Sequence, residues 1–388
     1  MTDGRGTPGN TILALLAEGQ SVWQDDISRE MFASGFLRRQ IEEVGVRGLT
    51  SNPTIFEKAI SSGSAYDEDV LRLLREGKDA RAIFEAVAVD DLQHALDLFR
   101  PIYDESGGRD GFCSIEVSPG AARDPDATRI EARHLWETVG RPNLLVKIPG
   151  TAEGAVVIEE MLAAGVNINI TLLFSIENYE RVALAYVSAL EQRLAAGQPI
   201  DRIASVASFF VSRVDTLVDK LLEEKIASAG GEAERERLRG LMGKAAVANA
   251  KLAYVKFQEI FEGARFAPLR EAGAKVQRPL WASTGTKNPA YSDVLYVETL
   301  IGPDTVNTMP GKTIEAFLDH ARVERTVDKG LDEAHEVMVT LAAHGIELDA
   351  LTAQLEEEGI ASFQKSFDAL LAGVERKRAA LAETVAAS

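Results

Sequence analysis

The chain has 388 residues, 46% of them hydrophobic and 26% charged, which is ample for a large core with the composition of an ordinary enzyme. Its 60 acidic against 42 basic side chains give a formal charge of −18, which argues against nucleic acid or an anionic membrane as the main partner. A single cysteine, Cys113, excludes an intramolecular disulfide framework and a multi-cysteine zinc site.

Residues 1–10 are rich in glycine and are expected to be a flexible lead. Neither a signal peptide nor an apolar run of about 18 residues is found, so a cytoplasmic location is expected. From there, strand-like runs recur with helical patterns between them, at 20–27, 45–52, 112–119, 143–150, 167–174, 203–211, 278–284 and 304–310. This alternation predicts an α/β fold, a closed (β/α)8 TIM barrel, with 1–388 as one domain.

The excess length falls in three helical insertions. The stretch 57–110 holds two or three helices between the second and third strands. The stretch 212–277, after the sixth strand, carries Val247, Ala250, Tyr254, Phe257 and Phe261 on one stripe. The tail 311–388 adds helices expected to pack on the barrel, the last with Phe363, Phe367, Leu370, Leu371 and Val374 on one face. An open doubly wound sheet is the runner-up, but it wants a Gly-rich turn after the first strand, and residues 24–29 offer none.

Within 143–150 a lysine interrupts a greasy strand, Asn143-Leu144-Leu145-Val146-Lys147-Ile148-Pro149-Gly150. Burying an ammonium is costly unless it is paired or neutralised, and a neutral amine is the nucleophile that forms a Schiff base with a carbonyl. Lys147 is therefore the first candidate for covalent catalysis, against the bland alternative of a stem that packs while its head reaches water. Alternation along strands turns one set of side chains into the barrel. It predicts that Asn169 and Thr171 face inward, as does Glu116, while Trp23 with Asp25, Thr50 with Asn52, and Ser208 with Phe210 each share a face. These residues sit toward the C-terminal ends of their strands, where barrel enzymes place their sites. One such strand would be an ordinary structural hydrogen-bond network, but five strands carrying Asp25, Asn52, Glu116, Lys147 and Thr171 form a polar cluster around one amine. Cys113, in an apolar strand lead-in, reads as an inert buried thiol, and the five histidines show no metal-ligand spacing.

Six ordered motifs then resemble those of the transaldolase family, in its longer bacterial form. They are Gly48-Leu49-Thr50-Ser51-Asn52-Pro53-Thr54-Ile55, Ser114-Ile115-Glu116-Val117, Val146-Lys147-Ile148-Pro149, Asn169-Ile170-Thr171-Leu172-Leu173-Phe174-Ser175, Val206-Ala207-Ser208-Phe209-Phe210-Val211-Ser212-Arg213-Val214-Asp215 and Ala282-Ser283-Thr284-Gly285-Thr286-Lys287-Asn288-Pro289. The resemblance spans nearly the whole chain from Trp23. It implies a class I transferase of the pentose phosphate pathway, with no metal and no cofactor, acting on sugar phosphates. Such an enzyme moves a dihydroxyacetone unit from sedoheptulose 7-phosphate to glyceraldehyde 3-phosphate. The resemblance assigns the Schiff base to Lys147, proton transfer at the C4 hydroxyl to Asp25, and a shared water to Glu116 and Thr171. It gives the three-carbon unit to Asn52 and Asn169, and the phosphate to Ser208, Arg213 and Lys287 with Phe210 beside them.

Two positions depart from the family pattern. Gln24 follows Trp23 where leucine is usual, so Asp25 and Asp26 stand adjacent, and alternation favours Asp25 as the inward one. Lys287 stands where shorter members carry arginine, and lysine meets phosphate as a point charge rather than a fork. Pro310-Gly311-Lys312-Thr313 mimics the end of a P-loop, but residue 306 is valine where that loop needs glycine, so Lys312 is expected to open a helix. A related Schiff-base aldolase acting on fructose 6-phosphate and a non-catalytic sugar-phosphate-binding barrel are the rival functions. Monomer and homodimer both remain open.

Overall fold

The computed structural model describes residues 9–61 and 63–386. Eight strands pair in sequence order and close on themselves: β1 (Gln20–Asp25), β2 (Gly48–Thr50), β3 (Phe112–Glu116), β4 (Leu144–Pro149), β5 (Ile168–Leu173), β6 (Ser205–Phe210), β7 (Arg278–Ala282) and β8 (Thr305–Met309). All eight pairings are parallel, including β1 with β8. The predicted TIM barrel is the observed fold, and each strand lies inside its predicted run. Strands such as β4 and β5 are buried along their whole length because one face meets the barrel interior and the other meets helices. The glycine-rich lead falls outside the described residues as far as residue 8. Asn10 is held in place: its Oδ1 caps the Thr11–Ala17 helix and its Nδ2 donates to the Glu43 and Val44 carbonyls.

Three helices fill the gap between β2 and β3, at Pro53–Ser61, Asp67–Arg75 and Ala80–Glu105. After β6, the Ala245–Phe261 helix buries Ala250, Tyr254, Phe257 and Phe261, with Val247 at the margin of the stripe. Gly311 opens the Gly311–His320 helix that follows β8, so the P-loop mimic is a helix start. The last helix, Leu348–Ala386, packs chiefly on Pro53–Ser61 and buries Phe363, Phe367, Leu370 and Val374. Phe367 meets Phe84 edge-on at 6.0 Å, tying this helix to Ala80–Glu105 as well.

The N-terminal end of the barrel is filled by a polar plug. Arg278 donates to Ser21 Oγ at 2.8 Å and lies 3.4 Å from Asp110, whose Oδ1 also accepts from the indole of Trp23 at 2.8 Å. Trp23 leaves no room on its neighbour. A Cβ on Gly48 would stand 2.7 Å from two indole carbons and 2.8 Å from the Phe112 carbonyl oxygen. Gly48 is thus required by close approach rather than by backbone angle. Gly48→Ala should cost about 1–3 kcal/mol in urea or guanidinium unfolding, the usual penalty of overpacking. An unchanged midpoint would show that the indole shifts freely.

Candidate functional site

The parallel register places the candidate residues by pairing partners. Glu116 lies opposite Lys147, and Lys147 lies opposite Asn169, so three polar side chains share one layer across β3, β4 and β5. Asp25 lies opposite Thr50 on β1 and β2. Lys147 is only 6% exposed. Its Nζ sits 3.3 Å from Glu116 Oε2 and donates to the Ser51 carbonyl at 3.0 Å. A charge this deep is tolerable only with such partners.

The carboxylates are tuned upward. Burial raises the Asp25 carboxyl above its ordinary value, partly offset by the hydrogen bond from Thr50 at 2.8 Å and by the charges of Lys147 and Lys287. Burial also raises Glu116; Lys147 counteracts this, and the nearby Asp25 adds to it. Asp25 and Asp26 are told apart by their surroundings. Asp25 enters the barrel network, whereas Asp26 is exposed just past the end of β1. A cavity of about 320 Å³ reaches both aspartates from the side of Arg29, Lys58 and Tyr66.

Thr171 Oγ1 is buried and bonds to no protein atom among the described residues. A neutral hydroxyl kept dry without a partner is costly, so its position asks for a bonding group from outside the protein. Asn169 is the opposite case. Its Nδ2 donates to Ser114 Oγ at 3.0 Å and its Oδ1 accepts from Ser208 Oγ at 2.7 Å, which locks the amide. Ser208 is therefore joined to Asn169 inside the barrel rather than to Arg213 or Lys287. Asn52 lies beyond the end of β2, where its Oδ1 accepts from Ile55 N at 3.1 Å and caps the Pro53–Ser61 helix.

Arg213 occupies the rim. Its guanidinium lies 5.4 Å from the Phe210 ring and 6.0 Å from the Phe363 ring. Among the described residues it makes no hydrogen bond or ion pair, and burial lowers its pKa. Lys287 is exposed on the loop after β7 and likewise has no ion-pair partner among the described residues. Arg213 is held between aromatic faces, whereas Lys287 lies close enough to Asp25 to act on its carboxyl and also lines a cavity with Asp215, Asp219 and Glu223.

Two features here lay beyond sequence reading. Leu172 adopts a left-handed backbone, φ 58°, at an irregularity in the β5–β6 register, and it is buried. This places strain next to Thr171, of a kind that surrounding structure must enforce. The last helix packs closely here: a Cβ on Gly359 would fall 2.9 Å from Leu172 Cδ2 and 3.6 Å from an Arg213 nitrogen. The helix thus lies against the C-terminal end of β5 and beside Arg213. The second feature is the orienting set of Thr50, Ser114 and Thr308, with Thr50 and Thr308 hydroxyls 2.6 Å apart. Inward alternation beside Asp25 and Glu116 was the available signal for them.

A closed parallel barrel with a buried lysine beside two raised carboxylates is a site suited to carbonyl chemistry. The profile of the Transaldolase/Fructose-6-phosphate aldolase family matches residues 22–374, and the chain belongs to that family. A transaldolase from Trichodesmium erythraeum is 45% identical over 370 residues, covering 95% of this chain and 97% of that protein. One from Mycolicibacterium smegmatis is 47% identical over 361 residues, covering 93% and 95%. One from Thiobacillus denitrificans is 46% identical over 356 residues, covering 92% and 97%.

Arg213 is positioned by its own helix, Ser212–Ser228, through Asp215. That carboxylate accepts from Ala246 N at 2.7 Å and from the Tyr296 hydroxyl at 2.8 Å. Burial pushes it up from 3.8 to about 6, with the Ala246 and Tyr296 hydrogen bonds opposing. A carboxyl raised in the folded state stabilises the fold at pH below its unfolded value, and this contribution is lost as pH rises through the folded value. The stability difference between Asp215→Asn and the unchanged chain should therefore shift toward the variant between about pH 4 and 6, by up to about 3 kcal/mol. Denaturant melts across that window check this; a difference independent of pH contradicts it.

Proposed function

We propose that the chain transfers a dihydroxyacetone unit from sedoheptulose 7-phosphate to glyceraldehyde 3-phosphate through a Schiff base on Lys147. The activity is that of a transaldolase, an enzyme of the pentose phosphate pathway with sugar-phosphate substrates. The observation that carries the residue assignment is the buried Nζ of Lys147 3.3 Å from the Glu116 carboxylate. The pairing supplies a nucleophile with an adjacent proton acceptor, the general requirement for an activated amine. We place the enzyme in the cytoplasm, as one barrel domain, because its substrates are soluble metabolites and one continuous core joins barrel and tail.

In this reading Lys147 attacks the ketose carbonyl. Glu116 and the unpartnered hydroxyl of Thr171 manage the water released as the carbinolamine collapses to the iminium. The iminium then acts as an electron sink. Asp25, oriented by Thr50, takes the proton of the C4 hydroxyl, the C3–C4 bond breaks, and the electron pair is held as the eneamine. Asn169, locked by Ser114 and Ser208, holds the three-carbon unit while the first aldehyde leaves, with Asn52 beside it. The acceptor aldehyde enters, the new carbon–carbon bond forms, Asp25 returns the proton, and water releases the product. Arg213 and Lys287 hold the phosphate, with Phe210 setting the plane of the guanidinium. Ser208 contributes through Asn169. The last helix limits water access at the mouth, which favours transfer over release.

Cleavage of fructose 6-phosphate with and without erythrose 4-phosphate separates transfer from simple aldol cleavage. The transferase reading predicts turnover that depends on the acceptor. Equal product formation without acceptor would assign the chain to fructose-6-phosphate aldolase chemistry instead. Asp25→Asn should retain Schiff-base formation yet lose turnover by about 10²-fold or more, the usual scale for a general base. The acid limb of kcat/KM should lie above the ordinary aspartate value of 3.8, because burial raises Asp25 and its working form is ionised. An acid limb at or below that value would remove Asp25 from the role.

A further inference from the structure

The opposite end of the barrel holds a second cationic cavity. It has a volume of about 330 Å³ and lies over the first residues of β3, β6 and β7 and the residue preceding β8. Arg109, Arg270, Lys275 and Arg278 line it, with Asp304 as the one lining carboxylate.

The compensation of these charges is incomplete. Arg109 pairs with Asp304 at 2.7 Å. Arg278, only 4% exposed, has Asp110 at a loose 3.4 Å, and that carboxylate is already bonded to Trp23 and Ser21. Arg278 also donates to Ser21 Oγ and to the Arg109 carbonyl, each at 2.8 Å. Arg270 and Lys275 donate to backbone carbonyls, those of Phe261 and Asp201, Arg270 also lies 5.6 Å from the Phe266 ring, and no carboxylate among the described residues forms an ion pair with either. Just outside, Arg202 stacks on Tyr103 and approaches Asp201 no closer than 3.8 Å. Burial, then the charge of Arg202, lowers Lys275, as expected where cations crowd. Such crowding is costly, and it stands out in a chain of charge −18.

We propose that this cavity binds a small phosphate-bearing anion. Two guanidinium forks and an ammonium converging on a recess are the groups that recognise phosphate oxygens. The volume suits a monoester or free phosphate, at the lower end of small-molecule sites. A long polyanion is disfavoured by the chain's net charge of −18. The cavity is remote from Lys147, which sits toward the C-terminal end of β4, so occupation does not compete with the carbonyl substrate.

Calorimetric titration with inorganic phosphate and, separately, glucose 6-phosphate tests this. An Arg213→Ala/Lys287→Ala chain isolates the cavity from the rim cations and should retain one equivalent of binding. Adding Arg270→Gln and Lys275→Gln should weaken that binding at least about tenfold, since each removes a charge-assisted contact. Neither residue pairs with a carboxylate, so the changes strand no buried acid, and thermal melting confirms the fold. Lys275→Gln alone serves if the pair is unstable. In the otherwise unchanged chain, Arg270→Gln/Lys275→Gln should leave kcat unaltered. Tighter glucose 6-phosphate would identify a phosphate ester, and equal or tighter phosphate the free anion; both support the site. No binding in the Arg213→Ala/Lys287→Ala chain, or binding indifferent to Arg270 and Lys275, overturns it.

Discussion

An ammonium inside a dry barrel is the constraint on which the rest of the site depends. Lys147 can stay there because Glu116 approaches it at 3.3 Å and the Ser51 carbonyl accepts its proton at 3.0 Å. Removing one partner from such a buried pair typically costs several kcal/mol, because the other is left uncompensated. The neighbouring strands are arranged around that need. Thr50 fixes Asp25, Ser114 and Ser208 fix Asn169, and Thr171 keeps a hydroxyl unengaged next to the same layer. Asp25 and Asn169 are thus each oriented by a neighbouring hydroxyl, as a preorganised site requires.

The last helix connects this interior to the rim. It packs closely where Gly359, without a side chain, faces the Leu172 side chain, whose residue has a left-handed backbone beside Thr171. The same helix brings Phe363 to the guanidinium of Arg213, which Phe210 faces from β6. The tail helix thus packs at once on the end of β5 and on the Arg213 guanidinium. At the far end, Arg278 and Asp110 make a second buried pair, so both ends of the barrel axis carry a charge that packing alone does not explain.

Much of this was legible in the chain. Strand runs separated by amphipathic stretches gave the barrel, and period-two alternation turned Asp25 rather than Asp26 inward. The six motifs then gave the family. What alternation does not encode is distance between strands. Alternation put Ser208 on the inward face but could not show that it bonds to Asn169, nor that the Asn52 side chain caps a helix. Thr50 and Ser114 lay on the expected faces, but their roles follow from partners on other strands. The strain at Leu172 comes from a register irregularity between β5 and β6, which no local pattern marks. The basic cavity is assembled from residues spread from 109 to 278, so it appears only once the strands are brought side by side.

The central claim is that Lys147 is the nucleophile, and borohydride reduction in the presence of fructose 6-phosphate addresses it most directly. Peptide mapping should find one stable adduct, on Lys147, with none in Lys147→Ala. An adduct on another lysine, or no adduct while fructose 6-phosphate still binds, would contradict the account.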